Sequence, residues 1–237
     1  MVDTAHELGT PVVGHCRGAS STRDAALAGF DMILHATYMD EAALAAVIER
    51  KVPIVPTFTF QANLADYGET IGASPELRAL FQKEIAESAV MLRRAYDAGV
   101  PLLCGTESGF CLTPYGDWHY RELEVFVRDL GMTPLQAITC ATSENAFALR
   151  LHGDTGTIQA GKLADLIVVA GEVERDVTVL GERGDIRHVV RGGEVIPPLI
   201  ETIRRDPPGW RVSHYGKQIL KRAMLGNELS PPSVIHS

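Results

Sequence analysis

The sequence predicts an α/β fold assembled from parallel strand–helix units, and three observations carry that expectation. Short apolar runs alternate with helical stretches through residues 1–150. The gap between successive runs holds one helix each time, which is the pitch of βα units and not of hairpins. Past residue 150 the pattern changes to short strands with turns between them. Four βα units are half of an eight-unit barrel.

The elements follow in order. Met1 to Thr10 is polar and reads as the end of a helix. Pro11-Val12-Val13-Gly14-His15 reads as a buried strand, and 22–29 as a short helix ended by Gly29. Asp31 to His35 is the second strand. A helix over 40–50 follows, with Asp40 suited to cap it. Val52 to Thr57 is the third strand and is followed by a longer loop. The helix expected over 75–98 carries Pro75 in its first turn. Val100 to Cys104 is the fourth strand. Helices are expected near 120–130 and over 134–149, then short strands at 164–170, 185–191 and 194–196. Pro197-Pro198, Pro207-Pro208-Gly209 and Pro231-Pro232 punctuate a loosely ordered tail over 197–237. The expected organisation is therefore a half-barrel over 1–150, part of a β-subdomain over 151–196, and the Pro-rich tail.

Bulk properties exclude several function classes. The 237 residues suffice for one large core with a small appendage. A hydrophobic content of 46% with 22% charged residues is that of a soluble globular protein. A net charge of -8 argues against nucleic acid as a partner. No apolar run approaches the length of a membrane span. Cys16, Cys104, Cys111 and Cys140 form no CxxC pair and read as reduced thiols. With no export signal in view, the expected location is cytoplasmic.

Three side chains fall at or just past the C-terminal end of an expected strand: His15, His35 and Glu107. In a parallel barrel those ends form the face that holds the active site. Imidazole and carboxylate are ligands suited to a divalent metal such as zinc. A lone histidine in that position is more often a hydrogen-bonded structural residue. The surrounding sequence decides between the two readings.

Val13-Gly14-His15-Cys16, followed by Ala25 to His35, is similar to a histidine pattern of the amidohydrolase superfamily, which are metal-dependent hydrolases on a TIM barrel. Lys51 to Thr57, ending Pro56-Thr57, resembles the next strand of that family. Gly105-Thr106-Glu107-Ser108-Gly109 resembles its strand-eight string, with glutamate in place of the usual aspartate. Gly156 to Val169, with Gly161-Lys162-Leu163-Ala164-Asp165, is similar to the family's return from barrel to β-subdomain. Thr113 to Leu123 resembles a branch that includes phenylurea and thiocarbamate hydrolases; the overall likeness extends to imidazolonepropionase.

The resemblance implies the C-terminal half of a (β/α)8 TIM barrel, strands five to eight, plus part of a small β-sandwich subdomain. It implies that His15, His35 and Glu107 hold a divalent metal, with zinc expected, and that Glu107 also moves the proton. The reaction implied is hydrolysis of a C–N bond in an amide, urea, carbamate or related small molecule by metal-activated water. His119, Tyr115, Tyr38 and Thr57 are the expected substrate-contacting residues. The family's first histidine motif has no counterpart ahead of His15, so the chain reads as a fragment that is inactive alone. Its expected partners are then a second copy of itself or a missing N-terminal half. Two other readings are a non-catalytic half-barrel that serves as an interaction subunit, and a related deaminase.

Overall fold

The structure, a computed structural model, describes residues 1–197, 215 and 218–226. Helix α1 (Val2–Glu7) leads into strand β1 (Val13–Gly18), helix α2 (Ala19–Leu27), strand β2 (Met32–Tyr38), helix α3 (Glu41–Arg50) and the short strand β3 (Ile54–Val55). These strands form one parallel sheet in the order β1-β2-β3, so each crossover is a helix. Asp40 caps α3 by accepting from the Ala43 N–H at 2.8 Å, satisfying one of the helix's orphan donors.

The fourth expected strand is reduced to a single parallel bridge, Ile54 to Leu102. Its backbone still follows β3: Ile54 N donates to Pro101 O and Leu103 N to Ile54 O. Gly105, just beyond, allows this close approach. A Cβ there would lie 2.7 Å from Val55 Cγ1.

The segment expected to be a loop after Thr57 is instead helix α4 (Thr59–Tyr67) with a 3₁₀ turn, Gly68–Ile71. Its N-cap is Phe58, and no local side chain caps it. The start signal that sequence reading relies on is absent, because the acceptor comes from Glu122, 64 residues away. Helix α5 (Pro75–Asp97) begins after Ser74, whose hydroxyl accepts from the Leu77 N–H. Helix α6 (Arg121–Arg128) follows a long loop. The helix expected over 134–149 is present but is broken. Helices α7 (Pro134–Thr139) and α8 (Asn145–Ala148) are joined by a π turn, Cys140–Glu144.

The main core lies between the sheet and helices α2, α3 and α5. Ile33, Ile54 and Leu102 from the strands meet Ala43, Val47 and Leu92 from the helices, all fully buried. A second cluster gathers Leu64, Ile71, Leu112, Trp118 and Leu220. Leu220 belongs to the tail segment. Most of that tail lies outside the described residues. Strands β4 (Leu166–Val169), β5 (Ile186–Arg191) and β6 (Glu194–Ile196) form a separate antiparallel sheet.

Candidate metal and active site

His15 lies inside β1 and His35 inside β2, and Cys16 is the register partner of His35. Strict alternation along β2 would turn His35 to the same face as Ile33, into the helix-side core. The backbone breaks that alternation. His35 has φ 74° and Ala36 φ 49°, both left-handed. The His35 ring therefore meets the His15 ring, with centroids 4.3 Å apart. Thr57 (φ 56°) and Glu107 (φ 49°) are left-handed too. Non-glycine residues held there cost on the order of 1–3 kcal/mol each, and such strain gathers at functional sites.

Hydrogen bonds fix the tautomer of His35. Thr57 Oγ1 donates its only proton to Pro56 O at 2.7 Å. It must then accept from His35 Nδ1–H, 2.5 Å away. That leaves His35 Nε2 unprotonated, 3.0 Å from His15 Nδ1 and 4.0 Å from Glu107 Oε1. His35 is held neutral: its pKa falls to about 4, first through burial, then through the neighbouring His15 and Arg17 charges. Ligand atoms of His15, His35 and Glu107 all lie within 4.8 Å of one another. Two imidazoles, one with its lone pair exposed to the other two groups, and a carboxylate form a donor set that fits a divalent metal.

The three residues line a cavity of about 420 Å³. Phe60 and Phe110 form an aromatic wall, their centroids 6.1 Å apart in edge-to-face contact. Arg17 and Gln61 add polar groups. Both reach Glu84, a buried carboxylate on α5: Arg17 Nη2 donates to it at 2.6 Å and Gln61 Nε2 at 3.4 Å.

The other expected contact residues lie elsewhere. Thr57 is buried beneath His35 and does not line the cavity. Tyr38 is half exposed and donates its hydroxyl to Glu84, which raises the pKa of that phenol. Tyr115 is 69% exposed. His119 Nε2 donates to Leu180 O at 3.0 Å, away from the cavity lining. Sequence reading missed Arg17, Gln61, Glu84 and Glu122. Arg17 was legible, since it stands two residues past His15 on the same strand and so on the same face. Glu84 was legible as well: it interrupts the apolar stripe of Phe81, Ile85, Ala89 and Leu92 on the buried face of α5.

A parallel sheet flanked by helices, with two imidazoles and a carboxylate brought together at one cavity, defines an α/β protein with a candidate metal site. Residues 1–196 match the amidohydrolase family, and the chain belongs to it. Among curated relatives it is similar to ochratoxinase of Aspergillus niger, at 28% identity over 197 residues, covering 82% of this chain and 40% of the relative. A 72-residue stretch, 29% of this chain, is 40% identical to imidazolonepropionase of Pyrobaculum arsenaticum and covers 17% of it. Among solved structures, a Xaa-Pro dipeptidase with methionine in its active site superposes with a TM-score of 0.69 at 32% identity, covering 82% of this chain and 47% of that one. The chain thus spans under half the length of these relatives. These likenesses give it a TIM-barrel-type α/β fold.

Proposed function

We propose that the chain carries the metal-site arc of a hydrolase that cleaves a C–N bond of a small amide, urea, carbamate or related compound. The observation that carries this reading is the convergence of His15, His35 and Glu107 on one cavity, with His35 held neutral and its Nε2 unprotonated. The names of the relatives, a dipeptidase among them, agree with it. His15, His35 and Glu107 would hold the metal, with zinc the ion their chemistry favours. A metal bound there lowers the pKa of water and polarises a carbonyl.

The chain's own groups supply the rest. Glu107, which is partly exposed, takes a proton from the attacking water and returns it to the leaving nitrogen. The water's O–H bond breaks, a C–O bond forms, and the C–N bond breaks. Phe60 and Phe110 hold the apolar part of the substrate.

In this reading β1, β2, β3 and the Leu102 bridge are one arc of the barrel, and the arc is closed by strands of a second copy or of an N-terminal half. The β4–β6 sheet is part of the composite β-subdomain. Zinc calorimetry on the wild-type chain tests the metal site. Binding that is lost in His15→Ala and in His35→Ala is the expected result. Binding unchanged in both variants overturns the assignment.

A further inference from the structure

Glu122 is fully buried, and neither it nor the residues it bonds line the cavity. It accepts hydrogen bonds from Phe58 N–H at 2.9 Å, Thr59 N–H at 2.9 Å and the Thr59 hydroxyl at 2.7 Å. These groups are the N-terminus of α4, which has no cap of its own. A carboxylate there satisfies orphan donors and meets the positive end of the helix dipole. The residue immediately before is Thr57, a β-branched residue at φ 56°. Such a conformation persists only where its surroundings hold it. On one side Thr57 is held by its own bond to Pro56 O, and on the other by the helix start that Glu122 clamps.

We infer that Glu122 is a positioning residue for the metal site, acting through the Thr57–Thr59 turn to hold His35 in the Nδ1–H tautomer. Its carboxylate fixes Phe58 and Thr59. They fix Thr57, and Thr57 Oγ1 accepts from His35 Nδ1. The lone pair of Nε2 then faces His15 and Glu107. This chain of contacts does for His35 what an outer-sphere acceptor does for a metal-bound imidazole, where loss of the acceptor costs roughly 10–100-fold in metal affinity. The inference rests on the metal-site reading only for its metal readout; the tautomer is a property of the metal-free chain.

The test uses the whole chain with ¹⁵N-labelled histidine. Long-range ¹H–¹⁵N spectra report the His35 tautomer without metal, and zinc calorimetry reports affinity. Wild type is expected to show the Nδ1–H form. Glu122→Gln puts an amide NH2 against two N–H donors; it should give mixed tautomers and weaken zinc by roughly 10–100-fold. Thr57→Val should do the same, and Thr57→Ser should keep both properties. If Glu122→Gln does not fold, Thr59→Val removes only the hydroxyl bond to Glu122 and should weaken zinc several-fold. A purely structural cap would lower thermal stability in Glu122→Gln or Thr59→Val and leave tautomer and zinc affinity within twofold of wild type. That result overturns the inference. Loss of the Nδ1–H form in Glu122→Gln, with a wild type that never takes up zinc, supports the positioning role and overturns the metal reading instead.

Discussion

Glu107 occupies a left-handed turn with its carboxylate 4.0 Å from His35 Nε2. Glutamate is one methylene longer than the aspartate that the superfamily resemblance leads one to expect there, and the turn brings it back within reach. Glu107→Gln keeps the shape and removes the base. In an assembled enzyme it is expected to lower kcat by at least roughly 10²-fold with metal content retained, while Glu107→Asp is milder. Turnover of the glutamine variant at the wild-type rate would rule out the proton-transfer role. Glu122 carries a second residue-scale prediction. Burial raises its pKa from 4.5 to about 7, outweighing the hydrogen bonds from Phe58, Thr59 and Thr57, which lower it. Above about 7 Glu122 is the carboxylate that clamps the start of α4; between 4.5 and about 7 the folded chain holds a proton that the unfolded chain has released, so stability falls as pH rises through that window. Shifts of this size correspond to about 3 kcal/mol across that window. Denaturant unfolding at several pH values should show the slope, and Glu122→Gln should flatten it.

Among the elements, those with local signals were legible and those with distant ones were not. Helix α3 carries its own cap. Asp40→Ala is expected to cost about 1 kcal/mol in denaturant unfolding, and no change would show that the bond to Ala43 N–H contributes nothing. Helix α5 announces itself by Ser74 and Pro75. Helix α4 announces nothing: its N-cap is Phe58, whose side chain cannot accept a hydrogen bond, and it takes its cap from a residue on α6. Val100 to Cys104 is apolar throughout and so predicts a five-residue strand, yet only Leu102 bridges to Ile54. The site divides the same way. His15, His35 and Glu107 were legible from motif resemblance, because each sits in a string whose neighbours are also distinctive. Glu122 and Gln61 were not, because what marks them is a contact made far away in the chain. Left-handed φ at His35 is not encoded by a glycine or asparagine, so nothing local signalled the break in β2 alternation.

At the scale of the whole molecule the two sheets share one problem. The parallel sheet ends at β1, which pairs with β2 on one side only among the described residues, and an edge strand presents unpaired N–H and C=O groups. The antiparallel sheet has an apolar row across it. Ile167 pairs with Val189, and Val189 with Ile196, so all three share a face. Each is 40–49% exposed. A single exposed aliphatic residue is ordinary, but three in register on one face form a surface suited to burial. The expected outcome is that the chain alone self-associates, or stays monomeric only with a complementary partner. Sedimentation velocity over a concentration series should show mass growing with concentration. Val189 sits at the centre of the row, in contact range of both others. Val189→Lys should therefore shift the distribution toward monomer while the parallel sheet and its zinc affinity stay as in wild type. If association runs through the β1 edge instead, Val189→Lys leaves the distribution unchanged and Val13→Lys, on the half-exposed first residue of β1, shifts it. A wild-type chain that remains a monomer at every concentration would show that neither surface needs a partner, and the closing of the barrel by other strands would then have to be abandoned.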